Sequence, residues 1–433
     1  MRLKEEPTMR LKDVKRGRLA PALAAALLAA CGSSSGGGHS TQGAVCAGGT
    51  GQTLNATCTP TFTQSTNTPG SIQVTFSGET LGVAGLPFQP VNQGDPVFVD
   101  GWNVTFDEIL VVLGNVRVAP GATEFPVQSQ VNAPVATMAG PFVVDMHKPS
   151  GFVGKDGVEP AGAIFVWNSQ DNGQAFSTTT RYSFSYDVMK AAYPATQINL
   201  TPDQFTDYGL MVQNGWSKLY RGTATYVGTC NWTTYPQGDP SGKVQALFGA
   251  LPTTVHFMFG WNDATSMINC ANPDFGSDEN VPANWGVQPT SSGAVIAQIT
   301  LHVDHAFWDI VKQEGAPLRF DPIAAWAPPS TTALAPLDLR TLAAKPLATT
   351  FSDGVTPIPD RGLCQNAPGY TQSDQSNPGQ VTLNTNGVPA SDLPGIANFM
   401  AFSAQSQMHL NANGLCYIVG QQASDPYYAP NIH

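Results

Sequence analysis

Runs in which apolar and polar residues alternate one by one recur along this chain, and they commit it to a mainly β fold. Ile72, Val74 and Phe76 alternate with polar neighbours, and so do Trp102, Val104 and Phe106. Tyr182, Phe184 and Tyr186 repeat the pattern, as do Val255, Phe257 and Phe259, and then Val295, Ala297, Ile299, Leu301 and Val303. A strand turns successive side chains to opposite faces, so each run predicts a half-buried strand. Ile109 to Val118 continues the second run, with Gly114-Asn115 expected as a turn. Gly- and Pro-rich connections between so many strands predict β-sandwich-like antiparallel sheets with a few helical insertions.

Helices are fewer. Thr201-Pro202-Asp203-Gln204 combines a capping residue, a proline in the first turn and Gln at the fourth place, a capping-box pattern. That helix should reach about Asn214 and stop at Gly215. Asp304 can cap a second helix, His305 to Glu314, ended by Gly315. A third is expected near Leu393 to Ser403.

The N-terminus reads as an export signal. Residues 1–18 are rich in Lys and Arg, and Leu19 to Ala30 is an apolar run ending in Leu28-Ala29-Ala30-Cys31. A basic segment, a short apolar core and small residues before a cut make a secretory signal. The run is too short for a bilayer span of roughly 20 residues. The Leu-Ala-Ala-Cys order resembles the bacterial lipobox, whose cysteine receives lipid and becomes the new N-terminus. Residues 1–30 are thus expected as a signal peptide, Cys31 as the lipidation site and residues 31–45 as a Gly/Ser-rich tether. The chain would then be lipid-anchored in the cell envelope, on the periplasmic or cell-surface side, with the membrane as its first partner. Glu5, Glu6 and Asp13 are unusual in a signal, and Met9 opens a cleaner one, so translation is expected to begin at Met9.

Cleavage before Cys31 removes seven basic and three acidic residues from the 20 and 31 in the chain, leaving a net charge of −15. That balance argues against nucleic acid and against docking on anionic lipid through a polybasic patch. With Cys31 assigned to lipid, six cysteines remain: Cys46, Cys58, Cys230, Cys270, Cys364 and Cys416. Export favours disulfides, and six cysteines allow 15 pairings. Sequence neighbours suggest Cys46–Cys58, Cys230–Cys270 and Cys364–Cys416. The domain reading is a stapled segment at 46–70, a main β-rich domain at 71–333 and a C-terminal region at 334–433 packing on it. The Pro/Ala/Thr-rich residues 327–349 form either a linker or a long surface crossing.

Few motifs carry chemistry. Gly32-Ser33-Ser34-Ser35-Gly36 matches G-x-S-x-G in letters but lies in the tether, without the strand and helix that a nucleophile elbow needs. Asp274, Asp278, Glu279 and Asn280 share a polar loop without calcium-loop spacing and read as solvated. Of seven histidines, His39 and His433 fall in the tether and at the last position, and His256 sits in a strand as a solvent-facing or satisfied residue. His147, His302, His305 and His409 remain. His302-Val-Asp-His305 places two imidazoles and the Asp304 carboxylate at a strand-to-helix junction. Neutral imidazole is a common ligand for zinc and copper. Met146 precedes His147 and Met408 precedes His409, and a soft thioether favours copper.

Three stretches carry a family resemblance: Phe98-Val-Asp-Gly-Trp102, His302-Val-Asp-His305-Ala-Phe-Trp308 and His409-Leu-Asn-Ala-Asn-Gly-Leu-Cys416. Together they resemble a group of large lipoproteins from myxobacteria and related deltaproteobacteria, over most of the chain after residue 70. That resemblance implies no activity. More distantly, residues 71–118 and the Cys270-Ala-Asn-Pro segment look like the periplasmic copper-binding proteins associated with methanobactin, secreted β-proteins that use histidine and a modified tryptophan. Their ligands do not align residue by residue; the resemblance implies copper.

The first functional reading is therefore a non-enzymatic, envelope-anchored protein that binds a metal, copper first and zinc second. His302 and His305 form its core, with His147, His409 and Asp304 as candidate additions. The second is a surface binding or structural module without metal, facing a saccharide or an envelope protein. The third is a metal-dependent hydrolase with Asp304 or a nearby acid as general base. It ranks last because no nucleophile or base motif accompanies the histidines.

Overall fold

A computed structural model of the chain describes residues 46–47 and most of 68–419. Left out within that span are 91–94, 123–126, 148–151, 154–159, 231–241, 273–284, 328–336, 363–366, 368–379 and a few isolated positions. The signal, Cys31, the tether, Cys58, Cys364 and the acidic loop at 274–280 lie outside the described residues.

The chain forms β1 (Cys46–Ala47), β2 (Ile72–Ser77), a short helix α1 (Glu79–Ala84) and the long β3 (Trp102–Pro120). There follow β4 (Ala136–Met138), β5 (Phe142–Asp145), β6 (Phe152–Val153), β7 (Pro160–Trp167), β8 (Tyr182–Val188) and β9 (Thr196–Ile198). After α2 (Gln204–Asn214) come β10 (Lys218–Tyr226), β11 (Thr254–Trp261), β12 (Thr265–Ile268) and β13 (Val295–Leu301). Beyond a 3-10 turn at Val303–Phe307 lie β14 (Leu337–Asp338), a helix at Ile396–Ser403, β15 (Met408–Leu410), β16 (Gly414–Leu415) and β17 (Tyr417–Ile418).

Among the described residues these strands make two sheets. The larger has eleven strands along the path β1-β9-β5-β3-β10-β11-β14, with β4, β8, β12 and β17 branching from it; the smaller runs β16-β15-β13-β2-β7-β6. The fold is mainly β and sandwich-like: Val74, Phe165 and Ile299 of the small sheet share one apolar cluster with Ile109, Tyr220 and Phe257 of the large one. Most pairings are antiparallel, but β2–β13, β5–β9 and β11–β14 are parallel. The described residues fall in one compact unit. Residues beyond 333 complete both sheets, with β14 on β11, β17 on β12 and β15 on β13.

α2 spans Gln204–Asn214, and Gly215 ends it in the left-handed conformation, φ 68°. The Thr201 backbone N–H donates to Gln204 Oε1 at 2.7 Å, which is half of the capping box. β2 is buried on both faces rather than one, Gln73 and Thr75 included, because it lies inside its sheet between β13 and β7 and is covered on each side. Gly114-Asn115 is not a turn. β3 runs through it with a register shift against β8, and Asn115 takes φ 45°. Asn115 Nδ2 and Arg117 both bind Asp187 of β8, at 2.7 and 2.9 Å, so the chain bulges without leaving its partner.

The helix expected from His305 to Glu314 shrinks to the five-residue 3-10 turn. Trp308 already bridges to Leu318 and Ile310 to Asn384, so the backbone is committed to extended pairing. Asp309 accepts from Arg319 Nε at 2.9 Å, and the other face of that guanidinium holds Asp360 through two bonds, which fixes the return segment. The expected pairings Cys230–Cys270 and Cys364–Cys416 are also corrected, while Cys46–Cys58 falls outside the described residues. Cys270 is bonded to Cys416, across 146 residues. β12 runs into Cys270 and pairs with β17, which follows Cys416, so sheet register brings the two together. Cys230 is disulfide-bonded as well.

Candidate metal centre

Strand register builds the site. In the small sheet β2 and β13 run parallel, with Ser77 opposite Thr300, while β15 runs antiparallel with His409 opposite the same Thr300. Residues two apart share a face of a strand. His302, just past the end of β13, therefore comes over His409, and its backbone N–H continues the ladder to Gln407 O at 2.9 Å. The chain then tightens into the Val303–Phe307 turn, which carries His305 back toward the same point.

His302, His305 and His409 form the one group of three or more ligand-type side chains among the described residues, each offering a ligand atom, with those atoms within 4.8 Å of one another. Ring centroids are 4.1 Å apart for His302 and His409, 5.4 Å for His302 and His305, and 5.6 Å for His305 and His409. Nitrogens bound tetrahedrally at about 2.0–2.1 Å from one ion stand about 3.3 Å apart. The three imidazoles could hold a metal ion after side-chain shifts of about 1 Å. Neutral nitrogen donors suit zinc and copper(II).

Hydrogen bonds fix the two buried rings. Ser406 Oγ donates to Ser403 O at 2.9 Å and lies 3.0 Å from His305 Nδ1, so His305 Nδ1–H is the donor and the Nε2 lone pair is the ligand candidate. The Ser406 carbonyl, 2.8 Å from His409 Nε2, can only accept; His409 therefore carries its proton on Nε2 and keeps the Nδ1 lone pair. One residue thus sets both tautomers, the usual duty of groups behind a metal ligand. Trp308 stacks on His305 with centroids 3.7 Å apart. Burial pushes the pKa of His305 and of His409 well below the ordinary value, and the neighbouring His302 adds to the effect. Both rings are therefore neutral, as ligation requires.

A buried cation holds the segment that carries Ser406. Lys218, on β10 and fully buried, donates from Nζ to Asp263 Oδ2 at 2.6 Å, Ala404 O at 2.9 Å and Gln407 Oε1 at 3.3 Å. From the other side, Tyr186 OH donates to His409 O at 3.1 Å, and the Cys270–Cys416 bridge ties down the hairpin of β15 and β16.

Not every candidate joins the group. His147 donates from Nδ1 to Gly82 O at 2.8 Å, which fastens α1 instead. Asp304 is buried, and its Oδ2 accepts the Trp308 indole N–H at 3.0 Å; it neither caps a helix nor enters the three-histidine group. Burial raises its pKa, an effect opposed by His302. His256 is exposed beside Thr223 Oγ1, at 3.0 Å, as a solvent-facing strand residue should be. Met408 precedes His409 on a strand, so its thioether turns to the opposite face and offers no donor.

Sequence reasoning missed Glu79, Ser406 and Lys218. Glu79 Oε1 lies 3.3 Å from His302 Nε2. It stands two residues past the end of β2, where the parallel register continues to a position opposite His302. No local signal marks a parallel pairing between strands more than 200 residues apart. Comparison with protein-family models, with curated proteins and with solved structures finds no match to the chain. No helix among the described residues is long and apolar enough to cross a membrane.

Proposed function

We propose that this protein is an envelope lipoprotein, tethered through Cys31, that holds one zinc or copper ion without catalysing a reaction. The observation that carries the reading is the convergence of His302, His305 and His409, with ligand atoms within 4.8 Å of one another. Two of these rings are buried, neutral and locked in complementary tautomers by Ser406. Such pre-organisation is costly to build around histidines that serve only as core. The resemblance to copper-binding periplasmic proteins supports copper. The donor set, three imidazoles without a thioether, supports zinc and copper(II) equally.

Metal analysis of protein purified from its native envelope tests this. The reading expects one equivalent of zinc or copper per chain, lost in His302→Ala and His409→Ala. Protein that is metal-free and takes up neither ion would leave the plain surface-binding module in its place. The anchor has its own test: Cys31→Ser should release the protein from membranes or leave the precursor uncut.

A further inference from the structure

The three histidines leave one corner of a tetrahedral site to be filled; Glu79 stands outside their 4.8 Å group and meets it at His302. Its Oε1 is buried and its contact is His302 Nε2 at 3.3 Å, an ion pair when that ring is protonated. That separation is what two donors on one tetrahedral ion show when their bonds are about 2.0–2.1 Å.

The backbone around Glu79 is built to put it there. Glu79 takes φ 57°, a left-handed conformation that residues with a Cβ rarely adopt and that structures retain where something over-determines it. Gly78 before it packs so tightly on Met146 that any Cβ would collide with the Met146 carbonyl. The Glu79 N–H is fixed on Ser77 Oγ at 2.9 Å. One turn on, the Gly82 carbonyl accepts from His147 Nδ1 at 2.8 Å, and a Cβ at Gly82 would already touch Val303 of the histidine turn at 3.5 Å. α1 is thus clamped between His147 and the turn that carries His305, with its first residue at the site.

We propose that Glu79 is the fourth ligand of the centre, making it a three-histidine, one-carboxylate site for a divalent ion, and that His147 positions it through α1. A carboxylate oxygen is a hard donor and Met408 faces away, so the site takes zinc or copper(II) in preference to copper(I). This inference rests on the metal reading above.

Zinc affinity measured by competition with a chelator, on the full folded chain, tests it. Glu79→Gln keeps the shape and removes the charge; it should weaken zinc by about 100-fold or more, beyond the roughly 10–100-fold typical of groups behind the ligands. Glu79→His restores a donor at a residue type that tolerates positive φ, and should bring zinc affinity back to within about tenfold of wild type. Unchanged apo-protein melting in both variants shows that each has folded. If wild type binds zinc through the histidines but Glu79→Gln binds it within about tenfold of wild type, the ligand assignment is overturned while the metal reading stands. A large loss that Glu79→His does not recover overturns it too, leaving Glu79 as a positioning partner of His302. If wild type binds no zinc or copper, the metal reading itself fails, which the histidine variants separate from the other results.

Discussion

His302 and His409 face each other with ring centroids 4.1 Å apart because β13 and β15 pair with Thr300 opposite His409. A metal bridging two strand ends and the turn beyond them binds the folded chain far better than the unfolded one, so zinc or copper(II) should raise the melting temperature. His302→Ala, His305→Ala and His409→Ala should each erase that rise. His256→Ala, altering an exposed residue on β11, should leave it intact. Differential scanning calorimetry with and without metal reads all four.

Lys218→Met should be costly in two ways. It strands the buried Asp263 carboxylate without its cation, and removing one partner of a buried pair costs about 3–5 kcal/mol. It also frees Ala404 and Gln407, which border Ser406, so metal affinity should fall although Lys218 is no ligand. Urea unfolding of the apo protein measures the first effect, and metal titration of the folded variant measures the second.

Peptide mapping without reduction should recover Cys270 joined to Cys416. A double Cys270→Ser, Cys416→Ser variant should lose about 2–5 kcal/mol, since the bridge closes a long loop of the unfolded chain. Recovery of Cys230 joined to Cys270 would contradict the arrangement of β12 and β17.

The strands were legible because alternation is local: β2, β3, β8, β11 and β13 all fall on runs visible in the sequence. α2 was legible from its capping-box pattern and its Gly215 stop, and a helix was expected where Ile396–Ser403 lies. Long-range pairing was not. His302 and His305 could be suspected from their spacing, but Glu79 reaches them only through a parallel pairing of β2 with β13, which no turn or hairpin announces. Ser406 and Lys218 act through one hydroxyl and one amine that look ordinary in sequence. The helix expected after His305 failed because tertiary pairing of Trp308 and Ile310 overrode a good cap and stop signal.

Away from the histidines, a buried acid makes the fold sensitive to pH. Glu108 is held up to about 9, first by burial and then by Asp207 beside it, against the pull of Arg221; Asp145 adds to the rise. A carboxyl raised above its unfolded value of 4.5 favours the fold most below that value, and its contribution is lost as pH rises through the folded pKa. Stability should therefore decline through Glu108 between about pH 4.5 and 9, and Glu108→Gln should flatten that decline. Denaturant unfolding across that window measures it; equal slopes for the two proteins would count against the protonated Glu108.

The central claim is most directly tested by the metal content of the folded protein after dialysis against a slight excess of zinc or copper(II), then against metal-free buffer. One ion per chain should remain on the wild type, with none on the triple variant His302→Ala, His305→Ala, His409→Ala. No retained ion on the wild type, or an equal amount on both proteins, would contradict a metal centre at these three histidines.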